Sequence, residues 1–296
     1  MKSNDRLYKI SLSVTGILIA VGFAFLTHVR LDSPVFLEHY IDMNVTGDSW
    51  HSNFNMPTSL QYITNADDER VVIWVEFADY PGLQLQASEN AFDVFARTGV
   101  EQSFDEQRGR HFGQYSVREV YLEIRDLPDL DEGEELHLTE ATVTFSDSST
   151  ETVDIGELTI STEEATDSPL QFVYSSSTGS GQNEVIYSAE ENLSLLAVDS
   201  TNFEAFSDAV HIDINGMDYQ EDSEHNIQAG EQLSIVTKRE FSEGDSQFAY
   251  FSILPQLTVS TENGDEHTVR LAQAIEMEPD YSFTNIYRYL RSREDM

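Results

Sequence analysis

The chain has 296 residues, of which 54 are Asp or Glu and only 16 are Lys or Arg, so its formal net charge at pH 7 is −38. A surface of this sign repels nucleic acid and anionic lipid, which excludes both as general partners. Cysteine is absent, which excludes disulfide bonds and thiol catalysis, and 17 Phe and 13 Tyr supply apolar surface for packed cores. We interpret the acidic, lysine-poor composition as halophilic adaptation to high salt, in preference to a specific cation-binding role.

The first predicted element is an apolar segment, residues 10–29, which contains no Asp, Glu, Lys or Arg. A helix of about 20 residues rises roughly 30 Å, the hydrocarbon thickness of a bilayer. Three basic residues within residues 1–9 predict a short cytoplasmic tail and an extracytoplasmic remainder. The run is longer than the apolar part of a cleavable signal, and no small-x-small site follows Val29. The sequence therefore predicts a single-pass anchor in the cell membrane.

Small residues recur every four positions on one face of this segment, at Gly16, Ala20 and Ala24. Such spacing lets two membrane helices approach closely, which predicts packing against a second membrane helix. The preferred interpretation, however, is that small residues are simply common in membrane helices.

Strand patterns dominate the rest of the chain, as in the alternating Val71, Ile73, Val75 and Phe77. We predict a mainly β fold with two tandem immunoglobulin-like β-sandwich domains and short helices. The first domain is expected over residues 30–160 and the second over residues 170–296. The polar stretch 161–169 is expected to be the linker.

Tight turns are predicted where Asn-Gly pairs separate apolar runs, at Asn215-Gly216 and Asn263-Gly264. The first of these hairpins is expected to have Ile212 and Ile214 before the turn and Met217 and Tyr219 after it. The hairpins over residues 143–155 and 257–271 share one plan, which suggests an internal duplication. The alternative is that any two hairpins look alike.

Two short helices are predicted. Thr201 to Glu204 has the spacing of a capping box, and a stripe formed by Phe283, Ile286, Tyr287 and Leu290 indicates a C-terminal helix capped by Asp280 or Ser282. We expect this stripe to dock on the second domain; the alternative is that it binds a partner.

A search for catalytic motifs yields none. Ser180 lies in a Ser/Gly-rich run that does not form Gly-x-Ser-x-Gly, and the eight histidines are scattered without His-x-His or His-Glu-x-x-His spacing. Carboxylates are so numerous that no catalytic pair can be singled out. We therefore predict no catalytic residues, no cofactor and no enzymatic activity.

An acidic stretch at residues 126–136 is the best candidate for Ca²⁺, because carboxylate oxygens are the ligands that this ion prefers. The candidate ligands are Asp126, Asp129, Asp131 and Glu132. Counted from Asp129, glycine falls at position 5 and not at position 6, so the EF-hand pattern fails. A solvated connection between strands is the preferred interpretation.

One segment departs from the acidic background, at residues 108–125, where arginines alternate with aromatic residues. Both types are enriched at interface hot spots. The candidate partner contacts here and on the C-terminal helix are Arg108, Arg110, Tyr115, Arg118, Tyr287, Arg288 and Arg291. For the arginines of residues 108–125, internal ion pairing with nearby carboxylates is the preferred interpretation.

The single anchor and the segments "TVTFSDSSTETVDIGELTI", "SSSTGSG" and "FTNIYRYL" resemble uncharacterised membrane-anchored extracytoplasmic proteins of bacillus-group Gram-positive bacteria. The resemblance implies the topology and no activity.

A cytoplasmic tail of about nine residues is too short for a folded effector. The sequence therefore favours a membrane-anchored accessory module that binds a protein or envelope component. The alternatives are a calcium-dependent structural or adhesive ectodomain and, third, an envelope hydrolase.

Overall fold

A computed structural model describes residues 8, 11–20, 22, 29–44, 58–90, 109–126, 134–161, 168–178, 182–200, 202, 210–219, 225–239, 248–271 and 274–293. The helices are α1 (residues 11–20) and α2 (Phe283–Ser292). The strands are β1 (Val35–Phe36), β2 (His39–Asn44), β3 (Thr58–Asn65), β4 (Val72–Glu76), β5 (Gln84–Ser88), β6 (Arg110–Phe112), β7 (Tyr115–Asp126), β8 (Glu135–Phe145), β9 (Thr150–Ser161), β10 (Leu170–Ser177), β11 (Gln182–Ala189), β12 (Leu193–Asp199), β13 (Val210–Ile214), β14 (Met217–Asp218), β15 (His225–Ile227), β16 (Gln232–Arg239), β17 (Tyr250–Ile253), β18 (Gln256–Thr261), β19 (Glu266–Arg270) and β20 (Ile275–Met277).

These strands form four sheets. One contains β1-β3-β7-β5 with β6 also paired to β7, and another has the order β20-β17-β2-β9-β8-β4. The remaining two have the orders β10-β11-β16-β13-β14 and β15-β12-β18-β19. The prediction of a mainly β, multi-sheet fold is confirmed, and the finer immunoglobulin-like assignment stays a prediction.

The six-stranded sheet joins the two halves of the chain. Strand β2 pairs in parallel with β9 on one side and with β17, from the C-terminal half, on the other. Successive residues of β17 point to opposite faces, so Tyr250 packs in a core with residues 36–160 and Phe251 packs in the core of the second half. Phe251 stacks on Tyr40 of β2 at a centroid distance of 5.2 Å. We call β2 and β17 the seam.

The pairing of β2 with β17 is not expected for two tandem domains that each have their own sheets. The division at residues 161–169 stays a prediction, because most of that stretch lies outside the described residues. The sheet pairing itself, however, does not follow the division, since β17 and β20 belong to the same sheet as β8 and β9.

The predicted hairpins are confirmed at the level of pairing. Strand β8 pairs with β9, and β18 pairs with β19. Asn215 and Gly216 both have positive φ, at 51° and 77°, as a two-residue hairpin turn requires. Met217, directly after the turn, is 56% exposed, and its strand β14 is the last in the order of its sheet.

The alternation predicted for residues 71–77 is wrong at its start. Val72, Val75 and Phe77 are buried, whereas Ile73 and Trp74 are both half exposed. The register between β4 and β8 shifts between Val72 and Trp74. Such a bulge adds one residue to the strand and reverses the facing of the residues before it.

Helix α2 forms as the stripe predicted. The hydroxyl of Ser282 accepts a hydrogen bond from the Asn285 backbone N–H at 3.1 Å, which caps the first turn. Its expected docking on the second domain is wrong. The buried stripe packs mainly against residues of the N-terminal half, namely Leu31, Val35, Leu37, Ile63, Tyr115 and Val117, together with Phe248. The predicted capping box lies outside the described residues except for Asn202.

The predicted anchor is described only over α1 and two flanking positions. Within the described part of the chain, no helix has both the length and the apolar character needed to span a bilayer. The anchor therefore stays a prediction.

Candidate binding surface

The segment predicted to contact partners is part of β6 and β7, and its charges are used inside the fold. The Arg110 guanidinium lies 2.9 Å from the Glu278 carboxylate and 3.7 Å from that of Glu119. It also lies over the Tyr281 ring, 4.9 Å from the centroid. Arg110 therefore ties the β6–β7 hairpin to the segment before α2, and Arg108 lies outside the described residues.

Arg118 and Tyr115 are not surface residues, which corrects both predictions. The Arg118 side chain is 3% exposed, and its Nη1 donates to the Arg70 carbonyl oxygen at 2.6 Å. Its Nη2 donates to the carbonyl oxygen of Asp68. Tyr115 is fully buried and stacks on Phe283. The two residues are three positions apart and therefore face opposite sides of β7. Both sides of this inner strand are covered: Tyr115 packs in the cluster around α2, and Arg118 lies on the face whose Val120 belongs to the other core.

The C-terminal candidates divide into two kinds. Tyr287 is partly buried and stacks on Phe283, so it belongs to the helix's own packing. Arg288 and Arg291 are exposed, and neither makes an ion pair with any residue in the described ranges. These two remain available as contacts.

The other predicted positions are only partly placed. The backbone of Asp126 ends β7, while Asp129, Asp131 and Glu132 lie outside the described residues, so the calcium prediction stays a prediction. Gly16 and Ala20 lie exposed on α1, and a Cβ added to Gly16 would meet no atom within 4 Å. Ala24 lies outside the described residues.

One group of metal-ligand types exists that the sequence search did not single out. His211, Asp213 and Asp218 place ligand atoms within 4.8 Å of one another on β13 and β14. The Lys238 ammonium, however, lies 2.6 Å from the Asp213 carboxylate and lowers its pKa by donating a hydrogen bond. A lysine already supplies the positive charge there, so an ion network accounts for the group without a metal.

A buried histidine holds the seam to the neighbouring sheet. The Nε2 of His39 accepts from the Gln61 backbone N–H at 2.6 Å, which leaves Nδ1 as the donor to the Ile155 carbonyl oxygen at 3.1 Å. Burial lowers the pKa of His39 to about 4. Its ring is therefore neutral at pH 7 and structural in role.

An exposed apolar edge is the surface that sequence reasoning missed. Strand β10 ends its sheet, and β11 is the strand on which it chiefly packs in the described part of the chain. Phe172, Val173 and Tyr174 are consecutive and 44%, 45% and 44% exposed. The register with β11 shifts between Phe172 and Tyr174. We call these three residues the β10 patch.

The β10 patch also lacks the charges that usually protect an edge. Residues 168–183 contain no Asp, Glu, Lys or Arg, although 24% of the chain is charged. Natural edge strands are commonly blunted with charges, bulges or covering elements. The end strand β4 shows such protection, since it lies against β5 and includes Glu76. In the sequence, the feature that could have indicated this edge is the run without charged residues beside the serine-rich stretch.

Comparisons with known proteins give only distant likenesses. No family model and no curated protein matches the chain. Among solved structures, the chain is similar to the YadV chaperone, with 10% identity and a TM-score of 0.24 over 80% of this chain and 99% of that one. The periplasmic chaperone SfaE gives the same identity and TM-score over 80% and 98%. The archaellum periplasmic stator protein complex FlaF and FlaG from Sulfolobus acidocaldarius gives 16% identity and a TM-score of 0.18 over 36% and 92%.

Scores this low carry no argument about the fold or the function. The assignment as mainly β rests on the strands themselves, and the resemblance to bacillus-group membrane proteins stays a prediction.

Proposed function

We propose that the chain is a membrane-tethered binding module of the cell envelope that takes an extended, uncharged segment of a partner protein on the free edge of β10. The observation that carries this proposal is the β10 patch: three consecutive half-exposed apolar residues on a charge-free strand that, among the described residues, has a paired strand on one side only. A strand with free backbone groups on one side adds a partner strand through main-chain hydrogen bonds.

Charge supports a partner strand of this chemistry. With a net charge of −38, most of the surface repels acidic proteins and orders counterions around it. Strand β10 carries no charge, so it is a place where another chain can approach without like-charge repulsion. Aromatic side chains on such an edge supply apolar contact to the incoming strand.

The tether is supported by the exposure of α1. Leu12, Ile17, Leu18 and Ile19 are each more than 60% exposed, and the last three are consecutive, so they cover more than half the helix circumference. A helix that is apolar all round is normally buried in a core or in lipid. We infer that residues 10–29 form the anchor and that the strands lie on the extracytoplasmic side.

The calcium-dependent and hydrolase alternatives gain no support from the described residues. The proposal is tested by site-specific photo-cross-linking of the full-length chain in its own membrane, with p-benzoylphenylalanine at position 172 and, as a control, at position 74 on β4. We expect an adduct at position 172 whose cross-linked peptide is extended and free of charged residues, and none at position 74.

The specificity control is a pair of matched lysine substitutions. Val173→Lys places a charge on the free edge of β10 and should abolish the adduct, whereas Ile73→Lys makes the same change on β4 and should leave it intact. Both positions are about half exposed, so both variants should keep the wild-type melting temperature. An adduct that survives Val173→Lys, or no adduct at all, would overturn the proposal. A peptide from a second copy would make the partner this chain.

A further inference from the structure

The chain enters its fold at Val29, the last residue of the predicted anchor. Val29 is completely buried, and its carbonyl oxygen accepts from the Tyr115 hydroxyl at 2.7 Å and the Gln114 side-chain amide at 2.6 Å. Two residues later, Leu31 exchanges two hydrogen bonds with the Asn65 side chain, at 3.0 and 2.8 Å. No free linker separates position 29 from the strands. If the anchor lies in a membrane, the part of the fold around Val29 therefore lies next to that membrane.

Helix α2 packs at this same place. Its first residue, Phe283, stacks on Tyr115, the residue that bonds to the Val29 carbonyl, with 5.8 Å between ring centroids. Ile286 and Leu290 share a buried cluster with Leu31. Although α2 follows the anchor by more than 250 residues in sequence, it lies beside the point where the chain leaves it.

The outer face of α2 carries two arginines for which the described residues provide no ion pair. At 100° per residue, Arg288 and Arg291 lie on the side of the helix opposite Ile286. Neighbouring arginines are paired: Arg30 lies 2.9 Å from Asp67, and Arg293 lies 3.9 Å from Glu38. For Arg288 and Arg291 the described residues offer no such carboxylate, although acidic residues outnumber basic ones by 54 to 16.

Helix-dipole stabilisation accounts for only part of this pattern. A positive charge is favourable in the last turn, where Arg291 lies. Arg288 lies nearly one turn earlier, where the effect is weaker. Both side chains keep five donors that bind phosphate oxygens well, often in pairs.

We propose that Arg288 and Arg291 contact the phosphates of anionic lipid headgroups in the membrane that holds the anchor. This inference rests on the tether in the proposed function. Because the rest of the surface is strongly acidic, the same headgroups repel it. The two effects together orient the module, with α2 towards the bilayer and the acidic remainder away from it.

The absence of cysteine makes a direct test simple. Thr284 is exposed on the same face of α2, one turn before Arg288, and Thr284→Cys gives a single labelling site. The labelled full-length chain is placed in nanodiscs of phosphatidylglycerol and phosphatidylcholine, or of phosphatidylcholine alone, at about 0.15 M salt. Quenching by a headgroup spin label reports the distance of α2 from the lipid.

We expect quenching at least threefold stronger in the anionic discs, and we expect Arg288→Gln/Arg291→Gln to remove that difference. Lys238→Gln, which removes an exposed positive charge from β16, is the matched control and should leave it unchanged. Inorganic phosphate added to the anionic discs at constant ionic strength should leave the quenching unchanged; loss of the difference under competition would indicate a free-phosphate site and overturn the lipid contact.

The failures are distinguishable. If the chain co-purifies with the discs but quenching is equal in both lipids, or is unaltered in the double variant, the headgroup contact is overturned and the tether stands. If the chain does not associate with either disc, the tether is overturned and the headgroup contact with it.

Discussion

The seam and the β10 edge are both strands at a boundary, and the chain treats them in opposite ways. In the seam, β2 has a paired strand on either side. The His39 ring is hydrogen-bonded to the backbone of β3 and of β9, and the Asp42 carboxylate accepts hydrogen bonds from the Asn202 side chain and the Leu254 backbone N–H. At the edge, β10 has β11 on one side and exposes three apolar residues. The difference indicates that the seam holds the fold together, and the edge is the surface on which we propose that a partner binds.

The largest loss of stability in the seam is expected from a substitution at Gly156, which lies against His39 of β2. Its φ is +84°, and an added Cβ would lie 2.5 Å from the His39 backbone nitrogen and closer still to the carbonyl oxygen. Since both contacts are backbone atoms in paired strands, Gly156→Ala should lower the free energy of unfolding by about 3 kcal/mol or more. Urea denaturation measures the loss.

Gly264→Ala is the control for that variant. Gly264 has a similar φ of +86°, but an added Cβ meets no atom within 4 Å. Only the backbone strain of about 1 kcal/mol remains there. Equal losses in the two variants would mean that the approach of β9 to β2 is not as close as described.

Protonation of His39 should weaken the seam nearly as much. The folded-state pKa is about 4, below the unfolded value of 6.5, so the unfolded state binds more protons between these values. Stability is complete above pH 6.5 and falls as the pH drops towards 4, by about 3 kcal/mol in total. The β10 edge has no titrating group in this range, so binding there should change only through unfolding.

Urea denaturation at several pH values tests this prediction, with His39→Gln as the comparison. Gln cannot titrate but keeps one donor and one acceptor, so its stability should vary less with pH. The comparison is needed because burial raises the pKa of Asp42 and gives the opposite slope. Where the variant folds poorly, NMR titration of the His39 ring replaces it; a midpoint near 6.5 would contradict the prediction.

Arg110 should show a smaller effect. Its ion pair with Glu278 is about half exposed on both sides, and such pairs contribute roughly 0–1 kcal/mol. Arg110→Ala should therefore cost less than about 1 kcal/mol and leave the cross-link at position 172 unchanged. Loss of the adduct with folding intact would restore the arginine segment as a contact surface.

The smallest effect on folding is expected at the edge itself. Val173→Lys changes a half-exposed side chain, and the free energy of unfolding should stay within about 0.5 kcal/mol of the wild-type value. Binding, by contrast, should be lost. A large destabilisation would mean that the edge is packed and would contradict its assignment as a binding surface.

Features set by neighbouring residues could be predicted from the sequence. The Asn215-Gly216 turn, the hairpin of β18 and β19 and the capping of α2 by Ser282 each depend on residue types within a few positions. The bulge in β4 could not be predicted, because apolar residues occupy both phases of the alternation there.

Features set by distant pairing were also missed. Arginines and aromatic residues mark interfaces and also strands that a second sheet covers, so only the placement of β7 inside its sheet reveals that Arg118 is buried. The docking of α2 near Leu31 and the pairing of β2 with β17 join residues more than 200 positions apart. No local sequence pattern specifies either contact. The exposed edge of β10 is evident only when the strand order of its sheet is known.

The parallel pairing of β2 with β17 has a consequence for the order in which the molecule is completed. Strand β2 emerges early during translation, and the partner that covers its second edge follows about 200 residues later. Contacts of such large sequence separation close slowly. Until β17 is synthesised, His39 and Ile41 lie on an unpaired edge of β2. The nascent chain therefore has a second aggregation-prone edge strand, besides β10, which β17 covers in the completed fold. A chain interrupted before residue 250 would keep that edge permanently exposed and would aggregate more readily than one shortened elsewhere.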